Sequence, residues 1–174
     1  LKNAWKWESE RLAQLGLSPI SLQNQMFQIY LRSIILTAAI SLGGTMSLVV
    51  YFGSVLWAKI MLETVNYLEH YGLVRVAGAA IEPKHSWNSN HMVSSTLLFN
   101  LTRHSAHHEK SNLPFWKLEP YKDAPMLPNG YLSMLYFILL LPWKYRKIME
   151  HKLADWDANY ASEQELELIR SITK

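Results

Sequence analysis

The sequence contains no cysteine. That excludes a disulfide framework, a thiolate zinc site and an iron–sulfur cluster, and leaves nitrogen and oxygen as the donors for any metal. It also lacks G-x-S-x-G, G-x-G-x-x-G and H-E-x-x-H patterns, so serine hydrolase, dinucleotide-binding and zinc-protease chemistry find no support. Charge is missing from one long stretch, with no Asp, Glu, Lys or Arg between Arg32 and Lys59. At about 1.5 Å per residue this run exceeds the ~30 Å of a bilayer's hydrocarbon core. Gly43-Gly44 divides it, so it forms either one tilted, kinked span or two shorter helices that dip in and return. Tyr51 and Trp57 suit an aromatic belt, and Lys59 can snorkel. The competing expectation is a buried helical pair in a water-soluble protein. A charged leader with a cleavage site is also absent, and the chain starts at Leu1, which reads as a processed or partial chain. The net charge is +3 and the pI about 9.1, but the basic residues form no basic–aromatic stripe. No nucleic acid is therefore expected, and a membrane surface fits better.

What the chain does have is histidine, seven in 174 residues. Three of them, His104, His107 and His108, fall at i, i+3 and i+4, which is one face of a helix. Three buried rings on one stripe each require a hydrogen-bond partner. A metal ion answers that need, since neutral imidazole is the commonest protein ligand for Zn, Fe, Cu and Ni.

The remaining pattern predicts an all-α fold, an integral-membrane helical bundle fragment with water-side helices carrying the histidines. Residues 1–26 read as surface helices, the first amphipathic over 2–15 and stopped by Gly16, the second starting at Ser18-Pro19. Residues 27–63 form the membrane helix or helix pair. Residues 64–130 hold the histidine region. In it, a helix runs through Asn66, Glu69 and His70 to Gly72, a second helix runs from about Ser89 to His108, and an irregular proline-rich connection follows to Gly130. Residues 131–174 comprise an interfacial or re-entrant apolar helix too short to span, a basic and aromatic anchor at Pro142-Trp143-Lys144-Tyr145-Arg146-Lys147, and a charged, water-exposed tail helix from Ser162.

Several stretches also carry a family resemblance. Asn66-Tyr67-Leu68-Glu69-His70-Tyr71-Gly72 resembles the NYxEHYG signature of membrane alkane 1-monooxygenases. Leu101-Thr102-Arg103-His104-Ser105-Ala106-His107-His108 resembles their last histidine box, LQRHSDHH. His85-Ser86-Trp87-Asn88-Ser89-Asn90-His91 lies between them and is similar to HSWNSNH. Leu127-Pro128-Asn129-Gly130-Tyr131 and Pro142-Trp143 resemble the C-terminal pattern, so the likeness runs in order through about residue 157.

The resemblance implies a multi-pass enzyme of the cell inner membrane with an all-histidine di-iron centre on the cytoplasmic side. Such an enzyme uses O2, and electrons from rubredoxin and its reductase, to hydroxylate the terminal carbon of an alkane or alkyl chain. Carried over by position, the iron ligands are His70, His104, His107 and His108. Glu69, Asn66, His85, His91 and Glu109 are expected behind them, holding ligands in place. The family's HExxH and EHxxGHH boxes are missing from this sequence, so the centre is expected to be completed by an N-terminal half bearing two further boxes. Ala106 stands where the box has Asp and Thr102 where it has Gln. An orienting carboxylate is thereby lost unless Glu69 or Glu109 replaces it. An aryl-methyl hydroxylase or a lipid desaturase shares the same histidine logic, and a non-catalytic module binding a structural metal is the expectation of another class.

Overall fold

The structure, a computed structural model, describes residues 2–110 and 112–172. Eight helices lie among these residues: α1 Lys2–Gln14, α2 Gln25–Ser41, α3 Thr45–His70, α4 Met92–Leu97, α5 His104–Glu109, α6 Tyr131–Leu140, α7 Pro142–Asn159 and α8 Glu163–Ile172. No strand occurs among the described residues beyond an isolated parallel bridge between Asn88 and Met126. The chain divides into two compact units, Leu1–Lys59 and Ile60–Lys174.

In the first unit α1 buries Leu12 completely. The Glu8 carboxylate accepts two 2.8 Å bonds from Arg11 and one of 2.8 Å from the Gln25 backbone N–H. The second helix does not begin at Ser18-Pro19. Ser18 closes a short turn by accepting from Ile20 N–H, and the cap is the fully buried Asn24, whose Oδ1 accepts from Phe27 N–H at 3.0 Å. A buried side chain that satisfies a helix amide outcompetes an exposed serine that satisfies only its own turn.

The uncharged run resolves into two helices. Gly44, at φ +83°, reverses the chain between α2 and α3, a conformation that only glycine adopts without strain. Nothing on α2 is buried. The most apolar stretch of α3 is also wholly unburied, and the helix is long enough to cross a bilayer. Val49, Phe52, Leu56 and Trp57 each expose more than half their surface. Such a face is stable against lipid and unstable against water. The expected alternative of a buried pair in a water-soluble protein is therefore not what the chain forms.

In the second unit the last turns of α3 pack with α6 and α7 around Leu68, Trp87, Tyr131, Met134, Tyr145 and Trp156. The α3 helix stops at Gly72, whose φ of +72° suits a helix C-terminus. A Cβ at this glycine would collide with the Leu153 side chain of α7. The helix expected over residues 89–108 is broken into α4 and α5. Phe99 and Asn100 both adopt left-handed backbone, at φ 50° and 59°. The Asn100 N–H bonds the Ser95 carbonyl at 2.8 Å, and Ser95 and Thr102 share a 2.8 Å hydroxyl bond that fixes the turn. The tail helix α8 forms as expected from Ser162.

One buried carboxylate ties that tail down. Glu165, 3% exposed, accepts 2.7 Å bonds from Lys84 Nζ and His85 Nε2, and 2.8 Å bonds from the N–H and hydroxyl of Ser162. Burial alone would raise its pKa. The bonds from Lys84, the Ser162 amide, His85 and the Ser162 hydroxyl outweigh burial and hold it at about 2. The folded value lies below the usual 4.5, so this stabilisation is complete above about pH 4.5 and is lost as the pH falls toward 2. The protection of α8 amides, taken relative to their intrinsic exchange rate, should fall across that window, and Glu165→Gln should abolish the pH step. An unchanged step in the variant would assign it to another group.

Candidate metal centre

Two short pieces of backbone carry the rings, and both are held from elsewhere in the unit. His70 is the last residue of α3. The six residues of α5 are too few to be stable alone. Arg103, at its N-terminal boundary, makes no capping bond with its side chain. The buried Asn88 takes that role from a distance: its Oδ1 accepts from Ser105 N–H at 2.9 Å, and its amide donates to Ser86 O at 3.0 Å and Ser105 Oγ at 2.5 Å. Ser86 and Ser105 also share a 2.8 Å hydroxyl bond. The HSWNSNH stretch is thus a clamp on the helix that bears the last histidines.

One ring nitrogen from each of His70, His104 and His108 lies within 4.8 Å of the others. His70 Nδ1 is 3.1 Å from the carbonyl oxygen of His85. A carbonyl only accepts, so Nδ1 carries the proton and Nε2 presents its lone pair. His104 Nε2 stands 3.3 Å from that Nε2. Two nitrogens so close require a shared proton or a shared cation. Nitrogens about 2.1 Å from one ion at a tetrahedral angle sit about 3.4 Å apart. A shared proton would still leave His108 Nε2 buried without any partner, a cost that a metal ion removes. His104 Nδ1, also without a partner, lies across its ring from Nε2 and is not relieved by an ion there. The three residues fit a metal.

Protonation state agrees with geometry. Burial, and then the His108, His70 and His107 rings, push the His104 pKa down to about 3. Burial also lowers that of His108, helped by His70, His107 and Arg75. Both rings are neutral near pH 7, as ligands must be. A cavity of about 240 Å³ adjoins them, lined in part by His70, His85, His108 and Arg75.

The other expected residues divide. Glu69, 1% exposed, places Oε2 3.3 Å from His104 Nε2 while Oε1 accepts from Tyr131 Oη at 2.8 Å. That nitrogen is the one facing His70, so Glu69 meets the inward edge of His104 and leaves Nδ1 without a partner. Glu109 turns away and accepts from the Tyr121 hydroxyl. His85 stays outside the ring cluster and touches it through its carbonyl. His107 is exposed on α5, its ring centre 5.9 Å from that of His104 and 6.1 Å from that of His108. Asn66 is exposed on α3, and His91 is exposed at the start of α4. Neither is brought to the cluster. Asn88, Ser105, Tyr131, Trp156 and Glu165 were not singled out from sequence. Of these only Glu165 carries a readable signal, the Ser162-x-x-Glu165 capping pattern.

The chain matches the fatty acid desaturase family over residues 3–138. The chain belongs to the fatty acid desaturase family. Within reach of this family member are alkane 1-monooxygenase 1 of Pseudomonas aeruginosa, 36% identical over 168 residues, and alkane 1-monooxygenase 1 of Alcanivorax borkumensis, 35% identical over 161 residues. The xylene/toluene monooxygenase hydroxylase component XylM of Pseudomonas putida is 34% identical over 175 residues. These alignments cover 93%, 89% and 100% of this chain but 43%, 40% and 47% of the relatives. The chain spans less than half the length of the curated relatives it matches.

Asn88→Ala leaves the Ser105 N–H buried without its partner, at about 1–3 kcal/mol, while the Ser86 carbonyl keeps a 3.5 Å contact to Ser105 Oγ. Denaturant unfolding in detergent should show about 1–3 kcal/mol of lost stability, and an unchanged midpoint would reject the clamp.

Proposed function

We propose that this chain is the C-terminal part of a membrane monooxygenase that inserts oxygen from O2 into the terminal C–H bond of alkanes or alkyl chains. The observation that carries the reading is the convergence of His70, His104 and His108, with His108 Nε2 buried and partnerless, in a chain about 35% identical to alkane 1-monooxygenases. In this reading His70, His104, His107 and His108 hold iron. His107, off the three-ring cluster, serves the second ion of a di-iron centre completed by histidines of an N-terminal half. When bound, the iron supplies the oxidising power that no side chain has toward an unactivated C–H bond.

The chain's own residues do the positioning. The His85 carbonyl fixes the tautomer of His70. Glu69, kept in place by the Tyr131 hydroxyl, lies against His104. Asn88 and Ser105 hold α5 so that its two inward rings keep their spacing. The exposed apolar faces of α2 and α3 suit a lipid environment from which a long alkyl chain is drawn. Electrons come from rubredoxin and its reductase. The basic segment Lys144, Arg146 and Lys147 supports an inner-membrane protein with this end on the cytoplasmic side.

A second substrate class is favoured by one observation: XylM matches the full chain at 34% identity, so a methyl group on an aromatic ring is the alternative substrate. A lipid desaturase would form an alkene from the same ligand set.

The test uses the whole protein purified in detergent with rubredoxin and its reductase. It should contain about two irons and convert an alkane to the 1-alcohol. His70→Ala, His104→Ala and His107→Ala should each lose iron and at least a hundredfold in turnover. Benzylic alcohol or alkene as the sole product would reassign the substrate, and full iron content with full turnover in the variants would overturn the ligand assignment.

A further inference from the structure

We propose that Glu165 is a positioning residue for the metal ligand His70, acting through the imidazole and backbone of His85. The proposal rests on the reading of His70 as an iron ligand. Its basis is a continuous set of bonds between two parts of the chain 95 positions apart in sequence. Glu165 Oε1 is 2.7 Å from His85 Nε2. His85 Nδ1 accepts from Glu82 N–H at 2.9 Å, so Nε2 must carry the proton it donates to Glu165. The carbonyl of the same His85 then accepts from His70 Nδ1 at 3.1 Å.

The turn that carries His85 is a three-residue 3₁₀ segment, Pro83–His85, which has little rigidity of its own. It is fixed from outside by four bonds. Lys84 Nζ meets Glu165 Oε2 at 2.7 Å, the Lys84 carbonyl accepts from Trp156 Nε1 at 2.7 Å, the Pro83 carbonyl accepts from Ser105 Oγ at 2.6 Å, and His85 meets Glu165 Oε1. Two of the four belong to one carboxylate.

The choice of residue is informative. If α8 needed only to be stapled to the unit, an apolar side chain at this place would do so without the cost of burying a charge. A carboxylate with two faces does something an apolar group does not. With the Glu82 N–H on Nδ1, it pins the His85 ring from its other nitrogen and grips Lys84 as well, and so fixes the turn whose carbonyl orients His70. Partners behind a metal-ligating histidine are worth about 10–100-fold in metal affinity, and Glu165 stands one bond further out, so an effect near tenfold is expected.

The test titrates Fe(II) into the metal-depleted whole protein in detergent and records the Mössbauer spectrum of the reloaded form. Glu165→Ala should weaken binding about tenfold and shift the spectrum. His85→Ala should do the same, and the double variant should lose no more than either single variant, because both act along one path. Ser162→Ala, which removes the helix cap but leaves the Glu165–His85 bond, should lower the unfolding temperature while keeping the affinity within twofold. Wild-type affinity and spectrum in Glu165→Ala, or full multiplication of the losses in the double variant, would overturn the proposal. Failure of the unsubstituted protein to bind iron would instead overturn the reading beneath it.

Discussion

The bond from His70 Nδ1 to the carbonyl of His85 is the contact on which the arrangement of the centre depends. An imidazole at a helix terminus is free to swing and to exchange its proton between two nitrogens. Pinning one nitrogen to a carbonyl removes both freedoms at once, and the other nitrogen is left as a lone pair of fixed direction. The rings of α5 take their meaning from that direction, because His104 sits 3.3 Å from the nitrogen so exposed.

Around this bond the second unit distributes its polar residues unusually. Ser86, Asn88, Ser89, Thr102 and Ser105 are all buried, as is Glu69, although burying polar groups opposes folding unless each finds a partner. Most of them do, and their partners are one another and the backbone of α5 and its flanks. The network replaces the length that α5 lacks. A short helix held by side chains from a remote loop can be placed where a long helix would not fit, and here it is placed against the end of α3.

Much of this was legible in the sequence, and the reasons differ by element. The uncharged run pointed to lipid-facing helices but also allowed a buried pair, and exposure of the apolar faces separated the two; Gly43-Gly44 marked where the run divides. His104 and His108 were legible through helical spacing. His107 shares the stripe on paper, yet six residues of helix turn its ring outward. The break at Phe99 and Asn100 left no mark, since a phenylalanine in left-handed backbone contradicts local preference and is imposed by the Ser95–Thr102 bond. Ser18-Pro19 looked like a helix start, but a buried Asn24 overrode it. Tyr131 beside Glu69 joins residues 62 positions apart, and no periodicity encodes such a pairing.

The length of α3 has a consequence for evolution. The last turns of this helix, from Ile60 on, belong to the second unit and end on a ring of the histidine cluster. Adding a single residue between Ile60 and His70 would turn that ring by about 100° and displace it by about 1.5 Å. The rings of α5, held by Asn88, would not follow it. These turns serve as a ruler whose far mark is an imidazole, and an insertion in them breaks a convergence that a change of side chain can leave in place.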